Sequence, residues 1–399
     1  YPAVRDEDVR TRAIPLAPLP EQRRIVEAIE TQFTRLDAAV TALERAQANL
    51  ARYRASVLQV AVEGRLVPTE ADLAREEGRD YEPADALLER ILEERRARWE
   101  AERWQYEIER AKKKAAQAER KAAGLPYYIR QLPEESWIDR TEEEYAPYLP
   151  KSDRWKQKYD APEPPDTEDL PELPEGWQWV NFDQITLLVT KGSSPGWQGF
   201  EYQEGGILFV RSQNVRWGYL DLDSSVYLSA EFNEEQSRSV VESKDVLLNI
   251  VGASIGRAAL ATQDLAGANL NQAVAIIRLV EPLVSAEYVV KYLISSYAQE
   301  RIQRKVVDVA RANLSLTDIK AMTLPLPPLA EQRRIVEEVE RRLSVVDALE
   351  DAVEVNLTRA ERLRQAILKT AFEGRLVPQN PDDEPASALL TRIRAERDA

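Results

Sequence analysis

With 399 residues, 44% of them hydrophobic and 31% charged, the chain has room for two or three folded units with real cores. It contains neither Cys nor His, which excludes disulfides, thiolate or imidazole metal sites, and Ser–His–Asp or Cys–His catalysis; only carboxylate or lysine chemistry remains. The formal charge of −15 argues against a free-standing nucleic-acid binder, so any DNA contact is expected to lean on a more basic partner for phosphate neutralisation.

Residues 1–16 read as the tail of a folded unit. YPAVRDEDVRTRAI has its counterpart in ARANLSLTDIKAMTL at Ala310–Leu324, which closes the middle domain, so an upstream copy of that domain is expected. Residues 17–100 form a first repeat. PLAPLPEQRRIVEAIE at Pro15–Glu30 returns as PLPPLAEQRRIVEEVE at Pro325–Glu340, and EGRLVP at Glu63–Pro68 returns at Glu373–Pro378. Glu21 to Glu331 and Glu63 to Glu373 are both separated by 310 residues, so no gap opens between the two signatures. Between them, Ile29, Phe33, Leu36, Val40, Leu43, Leu50, Val57 and Val60 follow heptad spacing, which predicts a long helix with an apolar seam. Pro18 and Pro20 precede it, Glu21 suits its positive N-terminus, and Gly64 suits its stop. The second copy runs through Val339, Leu343, Val346, Val353, Leu357, Leu363 and Ile367 to Gly374. Each helix should be about 60 Å long, and the pair should pack antiparallel as a spacer.

A short helix at Ala84–Ile91 resembles Ser387–Ile393 and extends each repeat. Residues 101–174 are a charged helical and irregular insertion. It carries Lys112-Lys113-Lys114, a run suited to phosphates or to a solvated helix face, and it closes in the Pro- and acid-rich linker APEPPDTEDLPELP at Ala161–Pro174. Residues 175–324 are richer in Gly, β-branched and aromatic residues. Strands are predicted at Gly206–Arg211, Val226–Leu228, Asp245–Val251, Arg257–Ala261 and Gln272–Leu279, and a helix at Ala286–Arg304. Residues 325–399 are the second repeat. The fold class is therefore α+β: a twisted-sheet domain flanked in sequence by two long antiparallel coiled-coil helices. No apolar run approaches the roughly 20 residues of a bilayer span and the given sequence opens on no secretory signal, which fits a cytoplasmic protein.

No constellation demands catalysis. Neither GxxxxGK[ST] nor GxGxxG occurs. Glu242-Ser243-Lys244 matches half of a nuclease pattern but reads better as a turn into a buried strand, and Glu231, Glu234 and Glu235 read as solvated. Hydrogen-bonding residues instead crowd the Gly-rich turns KGSSPGW (Lys191–Trp197), RSQNVRWG (Arg211–Gly218), GASIGR (Gly252–Arg257) and GANLNQA (Gly267–Ala273). Arg, Asn and Gln can read base edges and Ser or Lys can hold phosphates, although such residues also populate ordinary loops.

The double EQRRIV…EGRLVP resembles the conserved regions of specificity subunits of Type I restriction–modification enzymes. LPEGWQWVNFDQI (Leu173–Ile185), KGSSP, GGILFVRSQN, KDVLL, ASIGR, NQA and ARANLSLTDIK resemble, in order, their target-recognition domains. The likeness covers nearly the whole chain except 101–160. It implies two recognition domains spaced by paired helices, each reading half of a split double-stranded DNA site. About 60 Å corresponds to roughly 18 base pairs. Only the second such domain is whole here. The resemblance also implies two methyltransferase subunits docked on the repeats and restriction/translocase subunits joining them, in defence against foreign DNA. S-adenosylmethionine, ATP and Mg²⁺ would belong to those partners and no chemistry to this chain. On these loops the DNA-contact candidates are Lys191, Ser193, Ser194, Arg211, Gln213, Asn214, Arg216, Ser254, Arg257, Asn271, Gln272 and Arg311. The partner-docking candidates are Glu21, Gln22, Arg23, Arg24, Gly64, Arg65, Glu331, Gln332, Arg333, Arg334, Gly374 and Arg375. A coiled-coil protein-binding adaptor, the specificity subunit of a related Type II system with fused modification and cleavage, and a half-length subunit that dimerises are the competing readings.

Overall fold

The computed structural model describes residues 7, 11–126, 128, 132–307 and 313–399. Arg311 and most of the 1–16 segment lie outside these. The long helix α1 (Leu19–Val62) is followed by α2 (Glu70–Glu77), α3 (Ala84–Ala122) and the single turn α4 (Glu142–Tyr145). The α+β domain then runs β1 (Gln178–Asn181), α5 (Phe182–Ile185), β2 (Thr186–Lys191), β3 (Ile207–Val210), β4 (Val226–Leu228) and α6 (Glu231–Glu235). It continues with β5 (Val246–Asn249), β6 (Ala258–Leu260), β7 (Asn269–Leu270), β8 (Val274–Leu279), α7 (Ala286–Leu293), α8 (Ser296–Val307), α9 (Leu316–Ala321) and β9 (Thr323–Leu326). The second long helix α10 (Leu329–Phe372) and α11 (Ala386–Asp398) close the chain. Among the described residues no helix is long and apolar enough to cross a membrane.

These residues form two compact units. One joins the N-terminal part, up to Arg54, to Arg341–Ala399; the other is Ala55–Glu340. In the first, the long-helix segments run antiparallel, because contacts that climb one descend the other: Arg54 pairs with Asp347, Asp37 with Arg364, and Arg24 with Asp383 at 2.7 Å. A shift of 310 residues turns Arg54 into Arg364 and Asp37 into Asp347, so the first two pairs are one interaction made twice. The seam runs through Leu343, Val346, Val353, Ala360 and Ile367, all buried. Leu363, expected on the seam, is half exposed. The alternating 3–4 steps 353, 357, 360, 364, 367 leave it one position off and put the Arg364 guanidinium over the Phe33 ring instead. Both long helices stop alike. Gly64 (φ +69°) and Gly374 (φ +68°) take the left-handed conformation, while the amides of Arg65 and Arg375 reach back to the carbonyls of Val60 and Thr370, at 2.9 and 3.0 Å.

In the second unit, β2-β8-β5-β6 form an antiparallel sheet and β4-β3-β7 a mixed one. Leu247, Ala259 and Ile276 face Val210, Leu270 and Leu265 in a shared core, and α7 packs on β5 and β6. Both faces of β5 are covered, which is why VLLN reads as a continuous buried run rather than an alternating one. The single helix expected at 286–304 is two, broken at Ser295, whose hydroxyl accepts the Ala298 amide. The strand pair β1–β9 staples the start of the domain to its end, with Trp179 opposite Pro325. The insertion is ordered by rings rather than by periodicity: Trp155 stacks on Trp99 at 6.3 Å, and Arg95 donates to the Tyr159 hydroxyl and the Thr186 carbonyl. Lys112 and Lys113 are engaged within it, on the Ile138 carbonyl and over the Trp137 ring, so they form neither a free phosphate patch nor a bare solvated face.

At the head of α10, Glu331 is fully buried. It accepts the Trp177 indole N–H at 3.0 Å and the Glu70 amide at 2.8 Å. Burial pushes its carboxyl above the usual range. Gln332 bridges the Ser285 amide and the Pro327 carbonyl. Glu331→Ala strips the acceptor from two buried donors and should cost about 2–6 kcal/mol in chemical unfolding of the full chain, at about 1–3 kcal/mol per orphaned donor. Asp37→Ala, which breaks one exposed ion pair, should cost about 1 kcal/mol or less in the same assay.

Candidate nucleic-acid interface

Strand register decides where the Gly-rich turns go. Lys191 at the end of β2 faces Ala275 near the start of β8, and Val274 faces Asn249 at the end of β5, beside which β6 begins. Val210 at the end of β3 lies parallel to Leu270 at the end of β7. All four turns therefore gather at one end of the two sheets. Hydrogen bonds tie them together: Gly192 N to Val274 O, Ser193 N to Leu270 O, Asn271 N to Val210 O, Ile250 N to Ala273 O and Asn249 Nδ2 to Ser212 O. Leu314 N adds the chain leading into α9 by donating to the Ile250 carbonyl. Gly192 is demanded by this closeness, because a Cβ there would sit 1.9 Å from the Leu270 carbonyl oxygen. Gly256 (φ +89°) leaves space for Gln299 of α8, whose amide holds the Gly256 carbonyl at 2.9 Å.

The candidates fare unequally. Lys191, Gln213 and Gln272 are exposed at this end, and Ser194, Ser254 and Arg257 are partly so. Ser193 donates to Gln236, and Arg211 donates to the Ser224 carbonyl while its Nε is buried without a protein partner. Nearby, the Oδ1 of the buried Asn249 also lacks one. Asn271 accepts the Ala273 amide. Arg216 pairs with Asp221 at 2.9 Å and, chiefly through that bond, holds its carboxyl below the usual range. Asn214 is corrected from base reader to loop brace: it is buried, accepts the Arg211 amide and donates to the Asp221 carbonyl. Arg311 lies outside the described residues. Glu242 and Lys244 sit in a turn (Lys244 φ +70°) and pair with Arg278 and Glu281, as a turn rather than a nuclease motif requires. Trp197, 93% exposed on KGSSPGW, and the exposed Arg304 and Lys305 on the last turn of α8 are not among the polar loop candidates.

Residues 175–357 match the family described as Type I restriction modification DNA specificity domain. Over this part the chain is similar to the specificity subunits of Type I restriction–modification enzymes. The EcoBI specificity subunit of Escherichia coli is 35% identical over 202 residues, 49% of this chain and 42% of that protein. The EcoDI specificity subunit of Escherichia coli is 25% identical over 245 residues, 58% of this chain and 51% of that protein. The chain thus spans about half the length of these curated relatives. A solved chain described under "Structural basis underlying complex assembly and conformational transition of the type I R-M system" shares the fold, at TM-score 0.57 and 20% identity, over 94% of this chain and 65% of its own.

In this chain the repeat signatures are largely spent on the molecule itself. Arg24 hooks over the Pro378 carbonyl and Asp383; its repeat mate Arg334 hooks over the Pro68 carbonyl and Glu70. Gln22 donates to Ala17 O as Gln332 does to Pro327 O, and Glu21 is buried like Glu331. Gly64 lies against Pro174 and Trp177. Arg65 and Arg375 pair locally with Glu63 and Glu373 but stay exposed, as do Arg23 and Arg333. Gly192→Ala should destabilise the domain by about 1–3 kcal/mol or more through overpacking against backbone. Gly196→Ala, in open space, should lie within about 0.5 kcal/mol of wild type when the two are compared by denaturant melts.

Proposed function

We propose that this subunit reads one half of a bipartite DNA target with the loop cluster of its 175–324 domain and holds methyltransferase subunits on its two repeats. Restriction/translocase subunits join for cleavage of unmethylated DNA. The observation that carries the reading is the convergence of four polar, Gly-rich turns, drawn from strands far apart in sequence, on one end of the sheets. Arg211, Gln213, Gln272 and Arg257 are the base readers in this scheme, and Lys191 and Ser194 the phosphate contacts. The subunit is non-catalytic and works in the cytoplasm; S-adenosylmethionine, ATP and Mg²⁺ serve its partners, and basic surfaces on those partners offset its −15 charge. With Glu331, Gln332, Arg24 and Arg334 turned inward, docking falls to the exposed Arg23, Arg333, Arg65 and Arg375.

Recognition of two half-sites is supported by an asymmetry between the repeats. Val336 and Val62 are buried, 8% and 4% exposed; their counterparts Val26 and Phe372 are 52% and 63% exposed. Leu324 and Leu326 are buried in β9, whereas Ile14 and Leu16, at the matching positions, are exposed. The first repeat offers a second recognition domain the seat that the second repeat already fills.

The test is a gel shift of the full chain, alone and with its methyltransferase, on duplexes carrying the site mapped by host adenine methylation. Sequence-dependent binding is expected with the partner present. Arg211→Ala and Gln272→Ala should each weaken it by about 5- to 150-fold, the worth of one good base contact, with the fold intact. Sequence-independent behaviour in both settings would favour the adaptor.

A further inference from the structure

Trp197 is 93% exposed although its loop is tightly held. On one side, Gly192 and Ser193 are bonded to the Val274 and Leu270 carbonyls, and the Ser193 hydroxyl to Gln236. On the other, Phe200 donates its amide to Pro195 and packs edge-on against Phe232 at 5.2 Å. Pro195 is buried, and Gly199 (φ +82°) completes the turn that lifts the indole. A rigid loop that spends its anchors to hold about 150–250 Å² of aromatic surface in water is built for a partner that covers it. The loop leaves the sheets beside Lys191, at the end where the base-reading candidates gather. Between Lys191 and Arg211 it contains no Lys or Arg, only Glu201 and Glu204. The Trp197 indole, with no cation beside it on this stretch, is therefore placed for an apolar contact rather than for charge pairing with phosphates.

We propose that Trp197 is a base-stacking wedge, inserted at a base step of the target duplex, that adds affinity through stacking of its indole on a base and sequence preference through the step-dependent cost of unstacking, rather than through charge. This rests on the DNA-reading function proposed above. Such a residue favours steps that open easily, which extends recognition to positions no hydrogen bond reads.

The experiment uses the full chain assembled with its methyltransferase, a duplex bearing the mapped site, and 5-iodouracil at each thymine in and beside it. Irradiation should crosslink the peptide that contains Trp197. Trp197→Ala should assemble normally and bind about 5- to 150-fold more weakly, the worth of one stacked base, with the slope of log affinity against log salt unchanged. Lys191→Ala should instead lower that slope by about one. Trp197→Phe should restore most of the affinity. Affinity of Trp197→Ala within twofold of wild type overturns the wedge, as does absence of the crosslink. Loss of the methyltransferase from the Trp197→Ala complex also overturns it, by making the indole a protein contact. Failure of the wild-type assembly to bind the duplex at all overturns the DNA-reading function as well, which separates the two failures.

Discussion

Arg24 over the Pro378 carbonyl and Arg334 over the Pro68 carbonyl are one interaction made twice, and the scaffold depends on it. Each arginine stands in the first turns of one repeat's long helix and grips the chain just beyond the end of the other's. Head must meet tail, so the helices can only run antiparallel. The exposed Arg–Asp pairs at Arg54 and Arg364 match this register along the flank of the seam, and the buried apolar residues carry most of its stability. An antiparallel pair of identical signatures is isologous: a protein that docks on the head of one copy and the tail of the other finds the same composite surface twice.

The second copy shows what such a head supports when a domain sits on it. A buried carboxylate is costly unless donors surround it, and Glu331 has the Trp177 indole and the Glu70 amide. Trp177 opens the recognition domain and Glu70 belongs to the segment after EGRLVP, so one side chain ties the helix, the domain and the repeat tail together. Tyr288 and Tyr292 reinforce this seat by donating their hydroxyls to the Pro325 and Thr323 carbonyls of β9. The sheet domain is thereby joined to β9 and the head of α10 by hydrogen bonds that a flexible linker would not supply.

Much of the fold was legible because its signals are periodic. Heptads, strand runs and the Gly stops each reflect a repeating geometric demand, and the long helices ended where Gly64 and Gly374 indicated. Leu363 was misplaced because apolar character alone cannot separate two adjacent positions of a helix; the seam took Arg364, whose stem is as apolar and whose charge finds Asp37. The insertion was opaque because stacked Trp and Tyr rings have no period. At the candidate interface the turns were legible and their convergence was not, since register is a property of strand pairing. Asn214 illustrates the limit, because the amide that suits a base edge equally suits a turn. Trp197 was overlooked for the opposite reason: an apolar ring is expected inside, and only the fold shows it outside.

The claim on which the rest turns is that the duplicated head-and-tail surface is used twice. Native mass spectrometry of the full chain with its cognate methyltransferase reads this directly. Two methyltransferase subunits per chain, falling to one when a single repeat carries Arg23→Glu with Arg375→Glu or Arg333→Glu with Arg65→Glu, is the result the symmetry predicts. A single methyltransferase per chain at saturation would contradict it.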